Sequence, residues 1–231
     1  MTNPEGPNQP EQRFGPDHLR EHLIQGIVDV FIPLPIHLDL QKRLSRLLRD
    51  GYVARNPLTI GYWKTLEQRV EVLAGERPKP PMRWSQATGF NIYGVPGGGK
   101  TLSLQHVLAL YPQVIIHHRY QERDCSLVQL VWLMLQCPFD GSTRGLCLNF
   151  LQAVDSVLGT NYYANYGRRR TVQNELIMEM ARVASLHSLG VLVVDEVQFL
   201  NTAKSGGIQK MLNFFVELVN TIGVPVILVG T

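Results

Sequence analysis

A chain of 231 residues, 45% hydrophobic and only 18% charged, has room for one α/β domain with an extension or for two small domains, and too little charge for a large disordered segment. Its net charge of +3 permits contact with nucleic acid without requiring it, and apolar runs such as Val191–Val194 and Val224–Val229 are far too short to cross a bilayer. The three cysteines, Cys125, Cys137 and Cys147, form no C-x-x-C pair, which argues against zinc and a disulfide framework and fits a reducing cytosol.

In chain order, residues 1–17 read as a loosely held tail, because Asn3-Pro4, Gly6-Pro7 and Gln9-Pro10 punctuate a mostly polar stretch with no signal-peptide pattern. Asp17–Asp29 has the pattern of a short helix. Phe31–Pro35 is extended and apolar. Asp39–Asp50 places Leu40, Leu44, Leu47 and Leu48 at helical spacing with basic residues on its remaining surface, and Gly51 is expected to stop it. Thr65–Leu73 reads as a second amphipathic helix, and Gly75–Pro81, with its three prolines, as a linker.

An α/β core begins near Arg83. Strand Thr88–Tyr93 leads to helix Leu102–Leu110, which Tyr111-Pro112 closes. Val114–His118 is the next strand; its neighbours His117 and His118 face opposite ways and cannot easily share a metal. Leu127–Cys137 reads as one further strand, hairpin-paired with the last, with Asp124-Cys125 in the turn. Helices Leu146–Leu158 and Thr171–Leu186, buried strand Gly190–Val194, long helix Ile208–Ile222 and buried strand Pro225–Val229 complete the core. Near-continuous apolar strands alternating with helices mean a parallel sheet with helices on both faces. The expected division is residues 1–50 as tail and partner-docking segment, 51–82 as linker region, and 83–231 as the nucleotide-binding core.

The chemistry concentrates at Gly94-Val95-Pro96-Gly97-Gly98-Gly99-Lys100-Thr101, a full G-x-x-x-x-G-K-[ST] loop between a strand and a helix. Backbone N–H groups of such a loop, and of Leu102 behind it, wrap phosphates, and the helix N-terminus faces them. Lys100 is expected to reach the β- and γ-phosphates of a nucleoside triphosphate and Thr101 to hold Mg²⁺. Val191–Val194 runs into Asp195 and Glu196. At the carboxyl end of a parallel strand, Asp195 suits the Mg²⁺ water shell, and Glu196 suits a base that deprotonates the water attacking the γ-phosphate. Thr231, ending the last strand, is placed to touch that phosphate or water. No Asn-Lys-x-Asp guanine reader occurs, so ATP is the expected nucleotide.

Asp195-Glu196 after the loop, with a polar residue ending the next strand, resembles the AAA+ ATPases. Gly51-Tyr52-Val53-Ala54-Arg55-Asn56-Pro57 is similar to the N-terminal signature of the TnsC family, the AAA+ regulators of cut-and-paste bacterial transposons. So are Tyr111–Ile115, Leu146–Phe150, Leu158–Tyr162, Asp195–Gln198 and, most specifically, Ser205–Phe215 continuing to Gly223-Val224-Pro225. The resemblance covers roughly Gly51 to Thr231. It implies a bacterial, cytoplasmic ATPase whose ATP-bound subunits form rings or filaments on duplex DNA and link a target-selector protein to transposase subunits. ATP hydrolysis would then limit the assembly. Terminal extensions in the family serve partners, which makes Phe31–Pro35 and Asp39–Asp50 candidate docking elements.

Coating DNA without reading sequence needs cations against phosphates. Candidates are Arg119 and Arg123 in the expected hairpin, Arg168-Arg169-Arg170 beside Tyr162, Tyr163 and Tyr166, and Lys204 and Lys210. The resemblance also leads one to expect a further strand, a trans-acting arginine and a C-terminal helical lid beyond Thr231, absent from this chain, so turnover by this polypeptide alone is expected to be slow. Competing readings are an AAA+ loader or remodeller of another DNA-processing protein, a non-hydrolysing nucleotide-binding scaffold, and, more distantly, a small-molecule kinase.

Overall fold

The computed structural model describes residues 31–53, 55, 88–120, 123–167, 171–202, 207–219 and 223–231. The chain divides into two compact units, Met1–Asp39 and Leu40–Thr231. In the first, the described residues expose Ile32, Leu34, Ile36 and Leu38, and the Leu34 N–H donates to His37 Nδ1 at 2.9 Å. Helix α1 (Pro35–Val53) starts there on a proline, whose fixed φ and missing N–H suit a first turn, and continues into the second unit.

The second unit is built on four parallel strands: β1 (Phe90–Tyr93), β4 (Trp132–Gln136), β5 (Val191–Asp195) and β6 (Val226–Gly230), in the spatial order β1-β6-β5-β4. Two further strands, β2 (Val114–Tyr120) and β3 (Arg123–Leu130), pair with each other in a separate antiparallel ribbon. The remaining helices are α2 (Lys100–Leu108), α3 (Thr143–Leu158), the short α4 (Tyr162–Tyr166), α5 (Gln173–Leu186) and α6 (Gly207–Glu217), with a 3₁₀ turn at Val197–Thr202.

Side chains of β5 alternate between two cores. Val191 and Val193 pack with Leu44, Leu47 and Leu48 of α1 and with Leu104, Val107 and Leu108 of α2. Leu192 and Val194 join the other core, with Phe150 and Leu151 of α3, Met180 of α5 and Phe214 of α6. All five β5 residues are buried, which explains their continuous apolar run up to Asp195. The result is a parallel sheet flanked by helices on both faces. The buried Cys147 belongs to the second core, and burial pushes its thiol up to about 12. Burial, with Asp140 nearby, pushes Cys137 up to about 11. Neither thiol is primed as a nucleophile.

Four expectations change. Leu127–Cys137 is two strands in two sheets: β3 stays in the ribbon and β4 joins the main sheet beside β5. Val131, whose N–H donates to Gln113 at 2.8 Å, is the crossing point, and being apolar and buried it leaves no punctuation in the sequence. Asp124 and Cys125 lie inside β3, with Arg119 opposite Asp124 and Tyr120 opposite Arg123, and so are not in the turn. Gly51 does not stop α1. It is there for close approach, since a Cβ on it would lie 2.8 Å from Pro225 Cγ. The fourth change concerns the apolar face of Asp39–Asp50. Leu44, Leu47 and Leu48 are spent in the core, which leaves that face unavailable for docking. The expected long helix Ile208–Ile222 is seen as α6 up to Glu217. The expected helices Asp17–Asp29 and Thr65–Leu73 and the linker Gly75–Pro81 lie outside the described residues.

The Gly51–Pro57 stretch has a structural task where it is described. Tyr52 donates its hydroxyl to the Ser188 carbonyl at 2.9 Å. Arg55, 2% exposed, donates to the carbonyls of Gly51 (2.8 Å), Leu189 (2.6 Å) and Gly190 (3.3 Å). These bonds pin the end of α1 to the start of β5. Gly190 has no space for a side chain, because a Cβ would come 2.3 Å from the Val131 carbonyl oxygen. Among the described residues, no helix is long and apolar enough to cross a membrane.

Candidate nucleotide site

The strand order sets the site. β6 pairs in parallel with both β1 and β5, so the loop leaving β1, the end of β6 and the end of β5 open side by side. This is the carboxyl edge of the sheet, where parallel α/β folds hold ligands. A cleft of about 400 Å³ opens there, lined by Pro96–Leu102 of the loop and α2, by Asp195 at the end of β5 with Glu196 and Gln198 after it, and by Gly230 at the end of β6 with Thr231 after it.

The loop takes its shape from its glycines. Gly97 and Gly99 stand at φ 74° and 72°, left-handed backbone that favours glycine. A Cβ on Gly97 would meet nothing within 4 Å, so its backbone faces open space. Gly99 heads α2 without any side-chain cap, which leaves the first N–H groups of the helix available to an anion. Gly94 and Val95 sit behind this rim. Their carbonyls each accept a hydrogen bond from Lys100 Nζ, both at 2.8 Å, so the lysine is folded back on its own loop.

Two bonds tie the halves of the cleft together. Thr101 Oγ1 donates to Asp195 Oδ2 at 2.6 Å, and the Glu196 N–H donates to Asp195 Oδ1 at 2.8 Å. Asp195 is only 4% exposed, and these two donors satisfy a carboxylate that would otherwise be costly to bury. Glu196 stands at φ 59°, left-handed for a residue with a side chain, the kind of backbone strain that gathers at functional sites. Its carboxylate accepts a hydrogen bond from Gln198 Nε2.

The arrangement fits a magnesium nucleotide. A hydroxyl and a carboxylate on facing elements are hard oxygen donors of the kind Mg²⁺ takes. Uncapped helix N–H groups and an ammonium on a glycine-rich rim suit phosphates.

Among the described residues, no cation expected at DNA lines the cleft. Arg119 is on the ribbon, 3.6 Å from Asp124, and both side chains are so exposed that the pair adds little stability. Arg123 lies opposite Tyr120 in β3 and Lys210 lies in α6, but their side chains are outside the described residues, as are Arg168, Arg169, Arg170 and Lys204. Of the tyrosines before the arginine triplet, Tyr162 bonds His187 and Tyr166 accepts from Arg182 at 2.6 Å; both pack against the core. Tyr163 keeps an exposed ring, so the aromatic part of the expected cluster shrinks to one residue. Gln198 and Gly230 line the cleft without having been given a task from sequence. Gln198 stood within the quoted Asp195–Gln198 stretch, and its position two residues after Glu196 was the available signal.

Residues 84–231 match the family model described as AAA domain. The chain belongs to the AAA domain family. The family implies nucleotide use, usually with Mg²⁺, and ATP hydrolysis. Among solved structures, this AAA domain is similar to the Walker-type ATPase PABY2304 of Pyrococcus abyssi at 14% identity and a TM-score of 0.37. The match covers 72% of this chain and 43% of that one, so the AAA chain spans less than half of its length. No curated protein matches the chain.

Proposed function

We propose that this chain is an ATP-hydrolysing switch that assembles on duplex DNA and regulates DNA transposition, linking a target-selector protein to transposase subunits. The observation that carries the ATPase part is the Thr101–Asp195 bond, which joins the phosphate loop to the acids at the end of β5, with Glu196 beside them. The transposition part is supported by Gly51–Pro57, Asp195–Gln198 and Ser205–Phe215, which are similar to stretches of the TnsC family.

Bound Mg²⁺–ATP supplies the electrophilic γ-phosphorus and neutralises charge on its oxygens. Lys100 exchanges two neutral carbonyls for phosphate oxygens, a gain because charge-assisted hydrogen bonds are the stronger kind. Thr101 and Asp195 hold the metal. Glu196 takes a proton from the attacking water, and Thr231 offers its hydroxyl from the adjoining strand. Binding and hydrolysis then favour different assembly states.

Electron microscopy of the chain with an ATP analogue and duplex DNA tests this reading. Rings or filaments on DNA are expected, and they should vanish without nucleotide. Isolated particles under every condition, with ATP still hydrolysed, would remove the transposition reading and leave the ATPase.

A further inference from the structure

The 3₁₀ turn at Val197–Thr202 folds Gln198 back over Glu196. Gln198 Nε2 donates to Glu196 Oε2. The other end of the amide, Oε1, is buried and has no hydrogen-bond partner among the described residues. It lies against β6, where a Cβ on Gly230 would come 3.1 Å from Gln198 Oε1 and 2.6 Å from Val197 Cγ2. A glycine at 230 is therefore what lets Gln198 sit between the ends of β5 and β6. From there it lines the same cleft as Lys100, Thr101, Asp195 and Thr231.

A buried carbonyl without a partner is costly, so an amide present only to fill space would turn that oxygen toward a donor or water. The bond at its other end holds it. A glutamate side chain is flexible and its two oxygens are chemically equivalent, and a base must present one of them within hydrogen-bond reach of its proton.

We propose that Gln198 is a positioning residue for hydrolysis. Its amide N–H pins Oε2 of Glu196, so that Oε1 is the oxygen presented to the cleft. Glu196 Oε1 takes a proton from water as the water oxygen bonds to the γ-phosphorus. The bond from that phosphorus to the bridging oxygen breaks, and its electron pair leaves with ADP. The inference rests on the ATPase reading above.

Gln198→Met keeps length and volume but removes the donor. In the ¹⁵N-labelled full chain without nucleotide, the side-chain amide signal lost in Gln198→Met belongs to Gln198. Its hydrogen-bonded proton is expected downfield in the wild type and upfield in Glu196→Leu. A signal that ignores Glu196→Leu overturns the contact, whatever the nucleotide measurements give. With ATP, Gln198→Met is expected to lower kcat about 10- to 100-fold, while affinity for a non-hydrolysable ATP analogue stays within about threefold. An unchanged kcat overturns the proposal, and so does a loss of affinity that matches the loss of rate. A wild-type chain that binds no analogue sinks the ATPase reading and this inference with it. Failure of the amide shift with binding intact sinks this inference alone.

Discussion

At the scale of single residues, Lys100 and Glu196 should separate binding from chemistry. Lys100 is the cation folded over the Gly94 and Val95 carbonyls, and Lys100→Ala removes the only charge the loop itself can offer phosphates. Affinity for an ATP analogue is expected to fall by about 100-fold, since charged hydrogen bonds carry about 1.5–3 kcal/mol each. Glu196 lines the cleft but makes no bond to the loop, so Glu196→Gln should bind the analogue normally and lose about 10²–10⁴-fold in turnover. Titration with a fluorescent analogue and phosphate release read the two effects. Equal losses of affinity in both variants would remove the division of labour. These residues were legible in sequence because phosphate chemistry fixes their types and spacing: glycine where φ is positive, then lysine and threonine. Gln198 was not legible. Its contact depends on a 3₁₀ turn and on an absent side chain at Gly230, thirty-two positions away in the chain and adjacent only once β5 and β6 pair.

At the scale of elements, the sequence showed strands and helices where an apolar run met a turn residue, and failed where none did. Leu127–Cys137 changes sheets at a buried valine, and no local pattern marks a change of partner. Gly51 misled in the opposite sense, as a breaker that serves packing. The junction of β3, α4 and α5 carries a pH response that sequence periodicity did not show. His187, just after α5, has its Nδ1 3.0 Å from the Val128 carbonyl of β3 and its Nε2 2.8 Å from the Tyr162 hydroxyl of α4. A carbonyl can only accept, so Nδ1 carries the proton and Nε2 accepts from Tyr162 in the neutral ring. Burial lowers the His187 pKa below 6.5, and the bond to Val128 only partly opposes this. The unfolded chain therefore binds the proton first on acidification. The stabilising contribution is full above pH 6.5 and is lost as pH falls from there through the folded value. His187→Gln should flatten this part of the Tm profile between pH 7.5 and 5.5. The wild-type drop it removes should be at most roughly 2–4 °C, as the ring is only partly buried. Parallel Tm profiles for the two proteins would place the titration elsewhere.

At the scale of the whole molecule, the proposed DNA binding is expected from surface outside the nucleotide cleft, because no arginine among the described residues lines that cleft. The arginine triplet Arg168–Arg170 follows α4, whose Tyr162 and Tyr166 are engaged internally, so any contribution to DNA is electrostatic more than stacking. That distinction has a measurable consequence. Stacking tolerates salt, whereas each phosphate neutralised by a cation releases counterions and adds about 0.9 to the slope of log K against log salt on duplex DNA. Replacing Arg168, Arg169 and Arg170 by glutamate is therefore expected to weaken binding of the ATP-bound chain to duplexes of any sequence alike, and to flatten the slope by up to about 2.7 if all three meet phosphates. Fluorescence anisotropy between about 50 and 200 mM salt resolves a change of that size. Weaker binding with an unaltered slope would mean that the triplet acts on assembly between subunits, since cooperative loading on DNA falls when subunits lose contact with each other while the charge against each phosphate stays the same. An unaltered affinity and slope would return the DNA contacts to the ribbon, where Arg119 stands exposed beside Asp124.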